Sequence, residues 1–317
     1  MDTKFKLFIA LFISTFLQPS LALEVLTDTG LKQVITVAKS GGDFRSPNFA
    51  LDSIAFANEN NQYLILIKPG DYFIGETLNL DKPFVDIVGS GPDNTRLIMA
   101  SADLQATAIN VIGAQSVRDI HHNRLANFTL ENRRRSNSTV GIAAHDDVNL
   151  EIDNVKVEVT GGSSRNTGIY FDSLGYGVVN ISDSFFRTQT FGTSSDVGIE
   201  MAFSSGFSLI FNDVISVSGG IPLNNDPSSS AYGLKKGETT NNLVCNHCIL
   251  SGRSGSILMQ GGSNLITLNH GFINSGIEIG DPLLNIFPGP GTPTLRCHSI
   301  RQNGELLTED CQLQPLP

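Results

Sequence analysis

The sequence predicts an all-β fold, a right-handed single-stranded parallel β-helix with an N-terminal helical cap. Two observations carry that prediction. From Val140 to Gly280 the chain repeats, each repeat opening on a Gly-Ile-like pair: Gly141-Ile142, Gly168-Ile169, Gly198-Ile199, Gly233-Leu234 and a looser Ser256-Ile257. Self-similarity at this period is the mark of a solenoid. Each repeat also carries a polar turn pair, in order Asp153-Asn154, Ser182-Asp183, Asn212-Asp213, Asn246-His247 and Asn269-His270. Before the first of these, Val148-Asn149-Leu150-Glu151-Ile152 alternates apolar and polar. After it, Val155-Lys156-Val157-Glu158-Val159 alternates with its parity reset. Alternation means a strand with one buried face. A parity reset at Asp or Asn means a bend, because these residues tolerate the left-handed backbone. A β-sandwich or propeller fits less well, since no Asn-Gly or Asp-Gly hairpin turn falls between paired runs of the repeats.

Composition sets the boundaries. The chain has 317 residues, 31 Gly, 13 Pro and no Trp, with a net charge of −10. That length supports a large continuous core. The 21 Lys and Arg form no dominant basic face, which argues against nucleic acid as a partner. Arg133-Arg134-Arg135 reads as a solvated loop tip.

Met1 to Ala22 reads as an export signal. Lys4 and Lys6 give the charged start, Leu7 to Leu17 the apolar core, and Ser20-Leu21-Ala22 the small residues before cleavage. The apolar run is too short to span a bilayer, so no membrane span is expected, and the exported chain is placed in the periplasm or outside the cell. Residues 23–290 are assigned to the β-helix and 291–317 to a C-terminal tail.

The elements follow in order. Val34 to Ala38 is a strand. Pro47 to Asn58 fits an amphipathic helix with Ser46 as its cap and Phe49, Ile54 and Phe56 as its large apolar residues. It would cover the first coil, whose apolar cross-section is otherwise exposed. Tyr63 to Ile67 is a buried strand; Thr77 to Leu80, Phe84 to Val88 and Arg96 to Met99 follow. Within the repeats, loops are expected to swell at Gly161 to Thr167, Thr188 to Asp196 and Gly219 to Ser230, on one face.

Cysteines fit an oxidising compartment. Cys297 and Cys311 can close a loop in the tail. Cys245-Asn246-His247-Cys248 reads first as buried structural thiols, because an extended strand holds the two sulfurs too far apart to bridge. A local disulfide, made possible by the turn pair between them, and a Cys/His metal site are the alternatives. No metal-ligand set with zinc-like spacing stands out, no cofactor is called for, and a monomer is expected. Asn127, Asn137 and Asn180 open glycosylation sequons, meaningful only in a eukaryotic secretory pathway.

Val37-Ala38-Lys39-Ser40-Gly41-Gly42-Asp43-Phe44, then Ala50-Leu51-Asp52-Ser53-Ile54, Ile67-Lys68-Pro69-Gly70-Asp71-Tyr72 and Val88-Gly89-Ser90-Gly91, resemble the opening of pectin methylesterases. These are secreted parallel β-helices of the pectin-lyase-like superfamily. Leu125 to Asn132 resembles their next coil. The later repeats and the tail look like exported bacterial β-helix proteins with a pectinesterase-like start and no assigned activity.

The resemblance implies an ester hydrolase using two Asp residues, oxyanion-stabilising Gln side chains and an Arg that orients the nucleophile. Carried over residue by residue, the family's Q-A-V-A-L falls on Thr139-Val140-Gly141-Ile142-Ala143, with Thr139 at the Gln position. Q-D-T-L falls on Asn166-Thr167-Gly168-Ile169, which has no carboxylate; Asp172 stands a few residues away. D-F-I-F-G falls on Asp196-Val197-Gly198-Ile199-Glu200, matching Asp196 to the nucleophile. L-G-R-P-W falls on Ser251-Gly252-Arg253-Ser254-Gly255 and lacks its Trp. The candidate catalytic set is therefore Asp196, Arg253 and Thr139, and it is incomplete. A pectate-lyase site would need clustered carboxylates for Ca²⁺; the tight pair Asp146-Asp147 reads as solvated, as does His121-His122 in a loop.

Two functions follow. The first is a non-catalytic protein that binds a polysaccharide or glycan, with Tyr170, Tyr176, Phe191 and Phe203 as sugar-stacking platforms. The second is a diverged pectinesterase-type carbohydrate esterase acting on methyl-esterified polysaccharide. The missing second Asp and the missing Trp favour the first. A repeat scaffold that binds another protein is the third.

Overall fold

The structure, a computed structural model, describes residues 32–100, 107–114, 121–171, 176–189, 195–201, 206–219, 231–236, 242–252, 255–259, 265–273, 277–279, 294–302 and 305–306. The compact unit begins at Gln33. It is a right-handed parallel β-helix. Among the described residues its strands form one sheet of 18 and one of 8, and every strand pairing is parallel except that of Arg301–Gln302 with Glu305–Leu306.

The larger sheet is two ladders joined at a bend. The bend residues are the second members of the polar turn pairs: Asn154, Asp183, Asp213, His247 and His270 all have φ between 47° and 54°. Asn127 precedes them in the column and Ser299 follows, also with positive φ. Within one coil the chain runs along the first ladder, turns at this residue and continues on the second, as in Val148–Val159. The partner of each bend residue stacks too. Asn246 Nδ2 donates to Asn212 Oδ1 at 2.8 Å, and Asn269 Nδ2 donates to Asn246 Oδ1 at 2.8 Å. The edge is thus an amide ladder.

Alternation fills the interior with in-register columns. In the first ladder Ile65, Ile87, Leu125, Ile152, Ile181, Phe211, Cys245, Leu268 and Cys297 lie in one column, all buried. In the eight-stranded sheet the column is Leu78, Ile109, Ile142, Ile169, Ile199, Leu234 and Ile257, each buried. The Ile of every Gly-Ile mark is therefore a core residue.

The Gly has its own cause. The ladder pairs Thr167 with Val140 and Ile169 with Ile142, skipping the glycines. A Cβ on Gly141 would lie 2.4 Å from Val157 Cγ1, so this position also faces the core. Two successive inward positions are a kink in the pleat, and there is room for no side chain. A Cβ on Gly168 would sit 2.4 Å from the Gly198 carbonyl oxygen and 3.3 Å from Phe186 Cβ. Gly168→Ala is expected to cost ~1–3 kcal/mol, the usual cost of overpacking a filled core, read as a lower denaturant midpoint.

Several expectations need correcting. The helix ends at Asp52, not Asn58. The Ser53 hydroxyl donates to Ala50 O at 2.7 Å and Ile54 N–H to Leu51 O, local bonds that compete with further turns. Ser46 occupies the N-cap position but makes no side-chain cap bond. Ala50, Leu51, Ile54 and Ala57 enter the core, whereas Phe49 and Phe56 are exposed. Gly162–Phe171 is a strand with a register shift between Gly162 and Arg165, so the swelling expected there is a bulge. His121 and His122 open the strand His121–Asn132 instead of lying in a loop. Arg134 is buried, not a solvated tip, and its Nε and Nη2 have no hydrogen-bond partner. Asp147 is buried as well, and its Oδ1 accepts the Tyr176 N–H at 3.2 Å.

Cys245 and Cys248 are joined in a disulfide. The left-handed turn at His247 brings their Cα atoms to 5.8 Å, inside the range a disulfide bridges; an extended strand would not. Cys297 is also disulfide-bonded, while Cys311 lies outside the described residues. The ladders run into the stretch assigned to the tail, where Thr294–His298 pairs with Leu265–Asn269 and Arg301–Gln302 with Phe272–Ile273.

Candidate functional site

Of the residues singled out by sequence, the eight-stranded sheet holds Thr139, Asp196 and Tyr170, on two different faces. Thr139, Asn166 and Asp196 are cross-strand neighbours in one column. They stand two residues before Gly141, Gly168 and Gly198, and so share the inward phase of those glycines. All three are buried, Asp196 to 1 % exposure. The Thr139 hydroxyl donates to Arg134 O at 3.4 Å. Asn166 Nδ2 donates to Asp196 Oδ1 at 3.0 Å, and Asn166 Oδ1 accepts the Gly162 N–H at 2.7 Å. Thr139 and Asp196 thus share one inward-facing column, with Asn166 between them. Arg253, Asp172, Phe191 and Phe203 lie outside the described residues.

The outer face of the same sheet carries a second polar group. The second residue after the Gly marks points outward, giving the in-register column Ala143, Tyr170, Glu200 and Lys235. Glu200 is its centre. Its side chain is 7 % exposed, yet it is fully engaged: Arg165 Nη2 pairs with Oε2, the Thr167 hydroxyl donates to Oε2 at 3.4 Å, and Lys235 Nζ stands 3.4 Å from Oε1. Arg165 Nε also donates to Thr167 Oγ1 at 3.2 Å. The Arg165 guanidinium lies over the Tyr170 ring, 5.4 Å from its centroid, a cation–π arrangement that fixes both groups. Two cations and one carboxylate leave a local surplus of positive charge beside a half-buried ring.

Tyr170 therefore belongs to a polar cluster. Tyr176 is exposed on the first ladder, in the other sheet. Sequence reading missed Glu200 and Lys235, although the phase of the Gly-Ile marks puts the next residue outside. Arg165 carries no such signal, because it reaches the cluster from a bulged strand.

A further charged cluster lies on the outer face of the second ladder. Arg96 binds Glu131 and stands 3.2 Å from Asp71, and Arg133 also pairs with Glu131. The Glu131 hydrogen bond raises the Arg96 guanidinium above its ordinary value. This cluster ties neighbouring coils together. Among the described residues no helix is long and apolar enough to cross a membrane.

Fold and site together define a right-handed parallel β-helix with a charged, Tyr-bearing outer sheet face. The solved structures whose fold it resembles include pectin methylesterases. Pectin methylesterase PemA from Erwinia chrysanthemi aligns at TM-score 0.54 and 12% identity, over 89% of this chain and 92% of that one. The enzyme from Aspergillus niger aligns at 0.53 and 14%, over 86% of each chain. A pectin methylesterase in complex with a hexasaccharide aligns at 0.50 and 12%, over 89% of this chain and 92% of that one. No protein-family model matches the sequence, and no curated protein matches it significantly.

Proposed function

We propose that the protein is an exported polysaccharide- or glycan-binding β-helix that does not hydrolyse esters. Its contact face is the outer surface of the eight-stranded sheet around Tyr170. The observation that carries this reading is the burial of Asp196. A nucleophile has to come within about 3–3.5 Å of the reacting atom, and a carboxylate facing the core and bonded to Asn166 is not placed to do so. Outside it, among the described residues of this face, the acidic group beside Tyr170 is Glu200, whose two oxygens are held by Arg165, Thr167 and Lys235. Among the described residues of this face, a two-carboxylate hydrolysis then lacks both a free nucleophile and its partner.

The same face suits sugar. Tyr170 offers an aromatic surface for a pyranose ring, and Arg165 and Lys235 offer hydrogen-bond donors beside it. A neighbouring fold is known in complex with a hexasaccharide, which supports a chain-like saccharide ligand. The signal-like Met1 to Ala22 supports export, and the tail is taken to be held by a Cys297–Cys311 disulfide.

Tyr170→Ala is expected to weaken binding to pectins or related polysaccharides at least tenfold in affinity electrophoresis, with the fold intact by circular dichroism. Equal retardation of wild type and variant would sink this placement of the face. The second reading, a diverged pectinesterase-type carbohydrate esterase, draws support from one observation: Thr139 and Asp196 fall in a single column.

A further inference from the structure

The turn edge between the two ladders carries a feature that glycan binding does not use. Asp213, His247 and His270 occupy successive places in the column of left-handed bend residues, with φ of 54°, 54° and 52°. All three are exposed, the His247 and Asp213 side chains to 59% and 61%. The two imidazoles are stacked, their centroids 5.7 Å apart and their planes 25° from parallel. Asp213 Oδ1 lies 3.7 Å from His247 Nδ1, which leaves His247 Nε2 on the far side of the ring.

The frame beneath them is fixed. Asp213 N–H donates to Asn246 O, His247 N–H to Asn269 O and His270 N–H to His298 O, at 2.9, 2.8 and 2.7 Å. The Asn212–Asn246–Asn269 amide ladder runs alongside, and the Cys245–Cys248 disulfide brackets His247.

We propose that His247 and His270 form an open surface site for a divalent transition-metal ion of the Zn²⁺, Ni²⁺ or Cu²⁺ class. Imidazole is the ligand these ions favour. Metal–nitrogen bonds of ~2.0–2.1 Å require the two ring nitrogens to converge to roughly 3 Å, which modest rotation of two exposed side chains achieves. Asp213 faces the other nitrogen of His247 and sets the ring's orientation and basicity, as carboxylates do behind metal-bound histidines. Water completes the coordination, since no group of three or more His, Cys, Asp or Glu among the described residues is placed to enclose an ion. Cysteine does not compete, because Cys245, Cys248 and Cys297 are in disulfides. His121 and His122 are sequence neighbours on one strand and point to opposite faces, so they make no such pair.

The test is titration calorimetry of the untagged protein with Zn²⁺ and with Ni²⁺, for wild type, His247→Asn, His270→Asn and the double variant. Asn is the suitable replacement because Asn127 and Asn154 hold the same bend with φ of 59° and 50°, so the variants should keep the fold. Wild type is expected to bind, each single variant at least tenfold more weakly, and the double variant not at all. Metal should raise the melting temperature of wild type and leave that of the double variant unchanged, because an ion that binds only the folded state stabilises it. Wild-type affinity kept by either single variant, or no binding by wild type with either ion, overturns the proposal.

Discussion

Phe171→Ala is expected to lower the stability of the β-helix by ~3–5 kcal/mol, the range for deleting a fully buried aromatic ring. Phe171 is 0% exposed and lies against Phe207, also 0% exposed, with ring centroids 5.5 Å apart at a tilt of 54°. The pair spans the interior from the eight-stranded sheet to the first ladder, so truncation removes a contact between walls as well as within one. The space left cannot collapse easily, because the ladders on either side hold their own spacing. In a solenoid each coil rests on its neighbours, so loss at one coil weakens the two it touches. Equilibrium urea unfolding of wild type and variant gives the number. A difference below about 1 kcal/mol, the region of ordinary surface substitutions, would mean that the two rings do not pack as described.

Asp196→Ala is expected to lower stability by ~1–3 kcal/mol through the Asn166 donor it strands, the usual cost of leaving a buried polar group without its partner. Asn166 is itself 0% exposed and bridges its own Gly162 backbone to Asp196, so water cannot readily replace the lost acceptor. Asp196→Asn should be milder, since an amide oxygen can still accept the Asn166 N–H. A catalytic Asp196 would behave in the opposite way. Removal of a nucleophile from a strained, polar site tends to leave stability unchanged or improved while the rate falls by orders of magnitude. Melting curves of the two variants beside wild type separate these outcomes. No loss of stability in Asp196→Ala would contradict a structural role for this carboxylate.

The fold was legible because it repeats. Each polar turn pair marks a bend whose left-handed residue is its second member, and each Gly-Ile mark places a core residue in the third wall. The short helix was harder to read. Phe49 and Phe56 look like core residues in a helical periodicity, but Ser53 ends the helix before that periodicity is used. Burial of Arg134 was hidden for a different reason: three adjacent arginines look solvated until the coil packs against one of them. The CNHC disulfide depended on a single positive φ at His247, which turns an unbridgeable spacing into a bridged one.

The site was less legible than the fold. Alignment with the esterase motifs located a real column, Thr139, Asn166 and Asp196, but a motif alignment does not say which face a residue takes. The kink at each glycine reverses the usual phase, so the residue two before it points inward and the residue two after it points outward. Sequence reading therefore placed a catalytic label on the interior and overlooked Glu200 and Lys235 outside. Tyr170 stands out in the sequence because an aromatic residue is conspicuous in a chain without Trp, while Arg165 reaches the Tyr170 ring through a bulge that no spacing rule anticipates.

The most direct test of a non-catalytic binder is the release of methanol from highly methylated pectin, measured for wild type beside Asp196→Ala. Wild type is expected to release none above the buffer and the variant alike. A steady release by wild type that disappears in a folded Asp196→Ala variant would make this protein an esterase and Asp196 part of its chemistry.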